Sequence, residues 1–258
     1  MESLLAMIGE NQVILFLLLF TRISGLFAFF PFFSHMTIPI SLKTAITIFM
    51  TIFLFPLLPA TLHVSLNVAN LSLALVSELM IGFLAGLFLT IVLAILQMAG
   101  MQVSFVMGFT MASVIDPQTS TSIPLMSQFL SLIGLMIVLA FNGHHQMLLF
   151  LADSLSLVPL GSFYPEQNIL TYLTRAITGM FVYGFVLSFP VLALSLLLDL
   201  VFGMLMKTMP QFNLLVVGFP IKIMVSFVVL IAVLAPMMFV FKKEFQEALN
   251  HMTILFVH

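Results

Sequence analysis

Residues 169–206 run for 38 positions with only two charges, Arg175 and Asp199. As one helix at 1.5 Å per residue they would measure about 57 Å, nearly twice the ~30 Å of hydrocarbon in a bilayer. Five further apolar runs, residues 13–33, 42–58, 71–98, 123–141 and 214–241, reach or approach the ~20 residues that a crossing helix needs. Lipid offers the backbone no hydrogen-bond partner, so such runs are helical. The chain of 258 residues is 62% hydrophobic and 6% charged, whereas a soluble globule carries roughly 25% charged residues. It therefore reads as an all-α integral membrane protein of about six hydrophobic segments. No hydrophilic block is long enough for a separate extramembrane domain, and residues 1–258 are expected to form one membrane domain.

Pro190 stands near the middle of the longest run, in VLSFPVLAL. Proline removes a backbone donor and crowds the preceding turn, so a kink or a helical hairpin is expected there. Pro220 and Pro236 are expected to bend the last run in the same way. Pro31, Pro39, Pro56 and Pro59 punctuate the first two runs, and FNGHHQ from Phe141 ends the fourth. The lysines do not sort to one side: Lys43, Lys207 and Lys222 fall in odd-numbered connections, while Lys242 and Lys243 fall on the opposite side if six helices alternate. Tryptophan is absent and only three tyrosines are present, so there is no aromatic belt. The topology is expected to be atypical, set by packing against partners more than by the bilayer. Met1-Glu2-Ser3 carries acid where a secretory signal carries base, and no small-residue cleavage site follows the first run, so that helix is expected to be retained.

Several function classes are excluded at this level. The chain has no cysteine, hence no disulfide, thiolate metal site or cysteine nucleophile. A net charge of -2 leaves no basic surface for nucleic acid, and lipid is the surrounding medium. His144-His145 is no metal pair, because neighbouring helical positions point about 100° apart and no carboxylate follows at ligand spacing. No hydrolase, nucleotide-binding or zinc-protease pattern occurs, and no enzymatic activity or cofactor is expected.

Four charges lie inside the grease: Arg22 in LLLFTRISGLF, Glu78 in ALVSELMIGF, Arg175 in YLTRAITGM and Asp199 in LLLDLVF. A charge at bilayer depth costs about 2.5–3.5 kcal/mol, so such groups face protein or water and find partners. With only two central acids, static pairing within or between subunits is favoured over a proton relay. GFLAG, from Gly82 to Gly86, is a small-residue face that allows another helix to approach closely.

The stretch GFTMASVIDPQTSTSIP, beginning at Gly108, breaks the apolar pattern with small and hydroxylated residues. Asp116-Pro117 reads locally as a helix start, the carboxylate capping free N–H groups and proline taking the first helical position, and Pro124 begins the next helix similarly. The polar run that follows Pro117 fits a loop that lines or plugs a pore, and equally an ordinary surface loop.

MGFTMASVIDPQTSTSIPLMSQFL, residues 107–130, together with KTMPQFNLLVVGFPIKI, residues 207–223, resembles the two motifs of the FliR family. These are flagellar export-gate proteins, and their counterparts in virulence secretion systems are called SctT; the wording of both motifs is closer to FliR. The resemblance implies one copy of the chain in a helical ring with FliP and FliQ, contacted by FlhB and FlhA, at the flagellar basal body in the bacterial inner membrane. It implies helices folded into hairpins, an N-terminal part like FliP and a C-terminal part like FliQ. It further implies that unfolded export substrates pass this gate, and that Gly108, Phe109, Ala112, Ser113, Asp116, Pro117 and Gln118 belong to a lumenal loop that closes it. Pro210, Gln211, Asn213, Gly218, Phe219 and Pro220 carry the C-terminal motif. On that reading, intersubunit ion pairs formed by some of Arg22, Glu78, Arg175, Asp199, Lys207 and Lys222 are expected to order the ring. The competing class is an ion-coupled secondary transporter, with Glu78 and Asp199 as coupling sites and helices broken at Pro190 and Pro220.

Overall fold

The structure is a computed structural model, and it describes residues 10–29, 39–58, 68–109, 124–162, 168–209 and 214–255. Among these residues every regular element is helical. In chain order they are α1 (Glu10–Phe29), α2 (Ile40–Leu54) closed by a 3-10 turn at Phe55–Leu57, α3 (Val68–Met107), α4 (Leu125–Ala140), α5 (Gly143–Leu157), α6 (Asn168–Thr208) and α7 (Phe219–Leu255), the last entered through a π-helical turn at Leu214–Gly218.

Local chemistry explains the boundaries. Pro39 and Pro124 are extended, with ψ of 145° and 143°, and each stands immediately before a helix, α2 and α4. Proline's fixed φ and missing N–H suit that position. At the end of α4, Asn142 takes a left-handed φ of 59°, a conformation asparagine tolerates better than most residues, and α5 begins at the next residue. The expected stop at Phe141 is therefore observed, but a further helix follows it, with His144 and His145 exposed in its first turn. Threonines inside the apolar helices satisfy their own hydroxyls: Thr44, Thr47 and Thr51 donate to the carbonyls of Ile40, Lys43 and Thr47 four residues back.

The expectation of a hairpin at Pro190 is corrected. Helix α6 runs unbroken for 41 residues with Pro190 in its interior, and α7 likewise continues through Pro236 for 37 residues. Proline's φ is compatible with a helix, and one missing donor costs less in an apolar setting than the several unpaired groups that an interruption would expose. At 1.5 Å per residue α3, α6 and α7 are each about 55–62 Å long.

The chain divides into two compact units. The first comprises residues 1–90, 142–174 and 246–258, and the second residues 91–141 and 175–245. In the first unit α1 runs parallel to α3. Leu15, Leu18, Leu19, Ile23 and Leu26 form its buried stripe, at the three- and four-residue spacing of one helical face. The approach is set by glycines. A Cβ on Gly25 would stand 2.7 Å from the Leu79 carbonyl oxygen, one on Gly82 would overlap the Arg22 carbonyl oxygen, and one on Gly86 would stand 2.8 Å from Phe29 Cβ. The close approach read from GFLAG is thus observed, with Gly25 as its counterpart. The Phe29 and Phe83 rings meet edge to face at 4.5 Å, and Thr90 Oγ1 donates to the Phe29 carbonyl at the end of α1.

In the second unit α3 and α4 form an antiparallel hairpin. Gly100 lies against the backbone of Ser127, Ser104 Oγ accepts from the Met126 N–H, and Ser127 Oγ donates to the Gln97 carbonyl. Helices α6 and α7 form a second antiparallel hairpin, and α6 runs parallel to α3 through Gly184, which packs on Met98, and a hydrogen bond from Ser188 Oγ to Gln102 Oε1. The hairpins expected from the family resemblance are thus present, between whole helices. Phe181, Phe185, Phe189, Leu196, Leu200 and Met204 of α6 are exposed, as suits a surface that meets lipid or other apolar chains.

Candidate functional site

Four of the six charges singled out in the sequence form two ion pairs within the chain, Arg22 with Glu78 and Lys222 with Asp199. In the first unit Arg22 and Glu78 are 1% and 0% exposed. Arg22 Nε donates to Glu78 Oε2 at 2.5 Å. The remaining guanidinium nitrogens reach a third segment: Nη1 donates to the Ser154 carbonyl at 2.9 Å and Nη2 to the Val158 carbonyl at 3.0 Å. Both carbonyls belong to the end of α5, where orphan acceptors and the negative end of the helix dipole favour a cation. The second oxygen of Glu78, Oε1, accepts from the backbone N–H of Gly161 at 2.7 Å. Gly161 has a φ of 80°, a conformation that glycine takes without strain. A turn of irregular backbone after α5 is thus held between two side chains that also hold each other.

In the second unit Lys222 Nζ, buried on α7, donates to both carboxylate oxygens of Asp199 on α6, each at 2.7 Å. The Asp199 side chain is half exposed. One turn along the same seam Ser195 and Ser226 hydrogen-bond at 3.1 Å, both fully buried. Charge and hydroxyl pairs thus lock the register of α6 on α7. Lys222→Met would leave Asp199 without its cation on a helix whose exposed face is apolar, and should cost about 2.5–3.5 kcal/mol. Lys222→Met with Asp199→Leu should recover most of that loss in thermal unfolding of the detergent-solubilised chain. Arg175 is exposed near the start of α6, and Lys207 is exposed in its last turn, where a cation complements the helix dipole.

The two sequence motifs meet in the second unit. Helix α3 ends at Gly108, whose φ of 85° only glycine adopts easily, with its N–H on the Phe105 carbonyl. A Cβ there would stand 3.1 Å from the ring of Phe219, the first residue of α7. The neighbouring Phe109 ring packs edge to face on Phe227 with centroids 6.1 Å apart. The start of the central motif is therefore braced on the start of α7, which follows buried Gly218 and carries Pro220 in its first turn. Ala112, Ser113, Asp116, Pro117 and Gln118, and also Pro210, Gln211 and Asn213, lie outside the described residues. Sequence reasoning missed the roles of Gly25, Ser154, Val158 and Gly161; only the apolar environment of Arg22 hinted that partners were needed.

Among the described residues no group of three histidines or carboxylates is arranged to hold a metal ion. Glu78 has both oxygens in hydrogen bonds and no exposed surface, so its carboxylate is committed to the chain's own groups.

The family model described as bacterial export proteins, family 1, matches residues 13–248. The chain is 32% identical over 240 residues to the flagellar biosynthetic protein FliR of Bacillus subtilis (strain 168), covering 92% of each chain. To FliR of Escherichia coli (strain K12) it is 29% identical over 230 residues, 89% of this chain and 87% of that one. To FliR of Pectobacterium carotovorum subsp. carotovorum the figures are 30% over 220 residues, 85% and 84%. A match that spans nearly the whole sequence, on a fold of long apolar helices, means that the chain belongs to the bacterial export proteins of family 1, the FliR family of flagellar biosynthetic membrane proteins.

Proposed function

We propose that this chain is a structural subunit of the flagellar protein export gate in the bacterial inner membrane, at the basal body. It assembles with FliP and FliQ, meets FlhB and FlhA, and closes the conduit with its central loop against unfolded export substrates. The observation that carries this reading is the brace of Gly108 and Phe109 on Phe219 and Phe227. Gly108 and Phe109, which end α3 and open the central motif, are held against Phe219 and Phe227 of α7, so the small, hydroxylated stretch that follows in sequence starts from a braced helix end. A polar loop on a rigid mount can obstruct a lumen by packing alone, without covalent chemistry. The antiparallel α6–α7 hairpin is the part we equate with the FliQ-like portion, and the residues before it with the FliP-like portion. The broad apolar surface of α6 is suited to neighbouring subunits, and Lys207 is exposed in the last turn of that helix.

The decisive experiment is a conductance measurement on the assembled gate. Deleting residues 108–122 should open a leak to ions and small solutes, and a deleted gate as tight as the wild type would overturn the lumenal role. Native mass spectrometry of the complex extracted in mild detergent should find one copy of this chain with several FliP and FliQ subunits. Nothing observed favours the transporter reading: Glu78 is sealed, Pro190 breaks no helix, and Pro220 sits at a helix start.

A further inference from the structure

Arg22 and Glu78 do more than pair. The guanidinium uses three separate nitrogens, one on Glu78, one on the Ser154 carbonyl and one on the Val158 carbonyl. The carboxylate uses one oxygen on Arg22 and the other on the Gly161 N–H. Of the five groups involved, three are backbone, and all belong to the segment that leaves α5. That segment has little else to satisfy it: Val158 N–H returns to the Ser154 carbonyl and Ser162 N–H to the Pro159 carbonyl, while Pro159 has no N–H to give.

We infer that the Arg22–Glu78 pair is a directional clamp on the backbone of residues 154–161, making both side chains positioning residues for the turn that follows α5. The donors lie on the α1 side, facing the carbonyls that end α5, and the acceptor lies on the α3 side, facing the N–H of Gly161. The order is therefore not interchangeable. A simple ion pair survives exchange of its two charges, and its removal is largely offset when both partners become apolar. A clamp does neither. With the charges exchanged, a carboxylate at position 22 meets two carbonyl oxygens and a guanidinium at position 78 meets an N–H, so each contact turns repulsive. With both partners apolar, the Val158 carbonyl and the Gly161 N–H lose their side-chain partners and the Ser154 carbonyl keeps only the Val158 N–H, and that cost falls on the backbone.

Hydrogen exchange read by mass spectrometry on the full-length chain tests this directly, with the peptide over residues 155–162 as the reporter and a peptide over residues 222–232 as a control in the other unit. Arg22→Lys keeps the charge but offers one nitrogen where three were used. It should speed exchange at residues 155–162 by about tenfold, as expected for loss of a charge-assisted hydrogen bond, and leave the control unchanged. Arg22→Glu with Glu78→Arg, and Arg22→Met with Glu78→Met, should each lose protection at least as far as the lysine variant does. The inference is overturned if the exchanged pair or the double methionine variant recovers wild-type protection at residues 155–162, or if Arg22→Lys leaves that peptide unchanged. Should either double variant also lose protection in the control peptide, through global unfolding, the single lysine variant decides. The Lys222–Asp199 pair, which makes no such backbone contacts among the described residues, serves as the internal comparison that double apolar replacement should rescue.

Discussion

Arg22→Met is expected to destabilise the chain by about 3–5 kcal/mol, the cost of breaking a buried ion pair from one side. The methionine fills much of the volume of the arginine stem, so the loss is electrostatic and not a matter of packing. It leaves Glu78 at 0% exposure without its cation, and it strips donors from the carbonyls of Ser154 and Val158. The effect should appear as a lowered midpoint in thermal unfolding of the chain in mild detergent and as reduced steady-state amounts in the membrane. A loss no larger than the ~1 kcal/mol expected of an exposed pair would show that water reaches the site and screens it.

Gly82→Val should separate α1 from α3. Even the first carbon of a side chain at this position overlaps the Arg22 carbonyl oxygen and stands 2.7 Å from the Leu26 backbone nitrogen. Both obstacles are backbone, which cannot rotate aside as a side chain can, so the cost should equal or exceed the ~1–3 kcal/mol typical of overpacked cores. Parting the helices would also pull Arg22 from Glu78 and Phe29 from Phe83, so the damage should spread beyond the glycine. Gly203→Ala on α6 is the control: nothing lies within 4 Å of a Cβ there, and its helix propensity should gain up to about 1 kcal/mol. Thermal unfolding of both variants side by side gives the comparison; equal midpoints would mean that the α1–α3 contact is looser than the glycines indicate.

The runs of apolar residues were enough to place most of the helices, because in an apolar medium a helix is the only local way to satisfy the backbone. Helix α5 was missed for a reason of the same kind. Its 15 residues include two histidines, a glutamine and Asp153, so no apolar run announces it, and its stability comes from what its buried face touches. Of the two outcomes expected at Pro190, a kink or a hairpin, the hairpin does not form, because a proline's local cost is visible in the sequence whereas the packing of α6 on α3 and α7 that outweighs it is not. GFLAG was legible as a place of close approach, yet its counterpart Gly25 was not, since a single glycine in α1 carries no spacing signal. Of the site, the need of Arg22, Glu78 and Asp199 for partners followed from the cost of a charge in grease. Their choice of partner did not.

What the amino-acid order determined alone is the medium, the helical class, the kinship, and the rule that its interior charges be satisfied, each following from composition and short-range chemistry. What only the tertiary structure decided is which groups satisfy which: Arg22 with Glu78 across 56 positions, Lys222 with Asp199, and Gly161 with a carboxylate 83 positions away. Such pairings depend on which helix faces which and in what register. Helix faces are matched by summed packing over many residues, and no single stretch of sequence contains that sum.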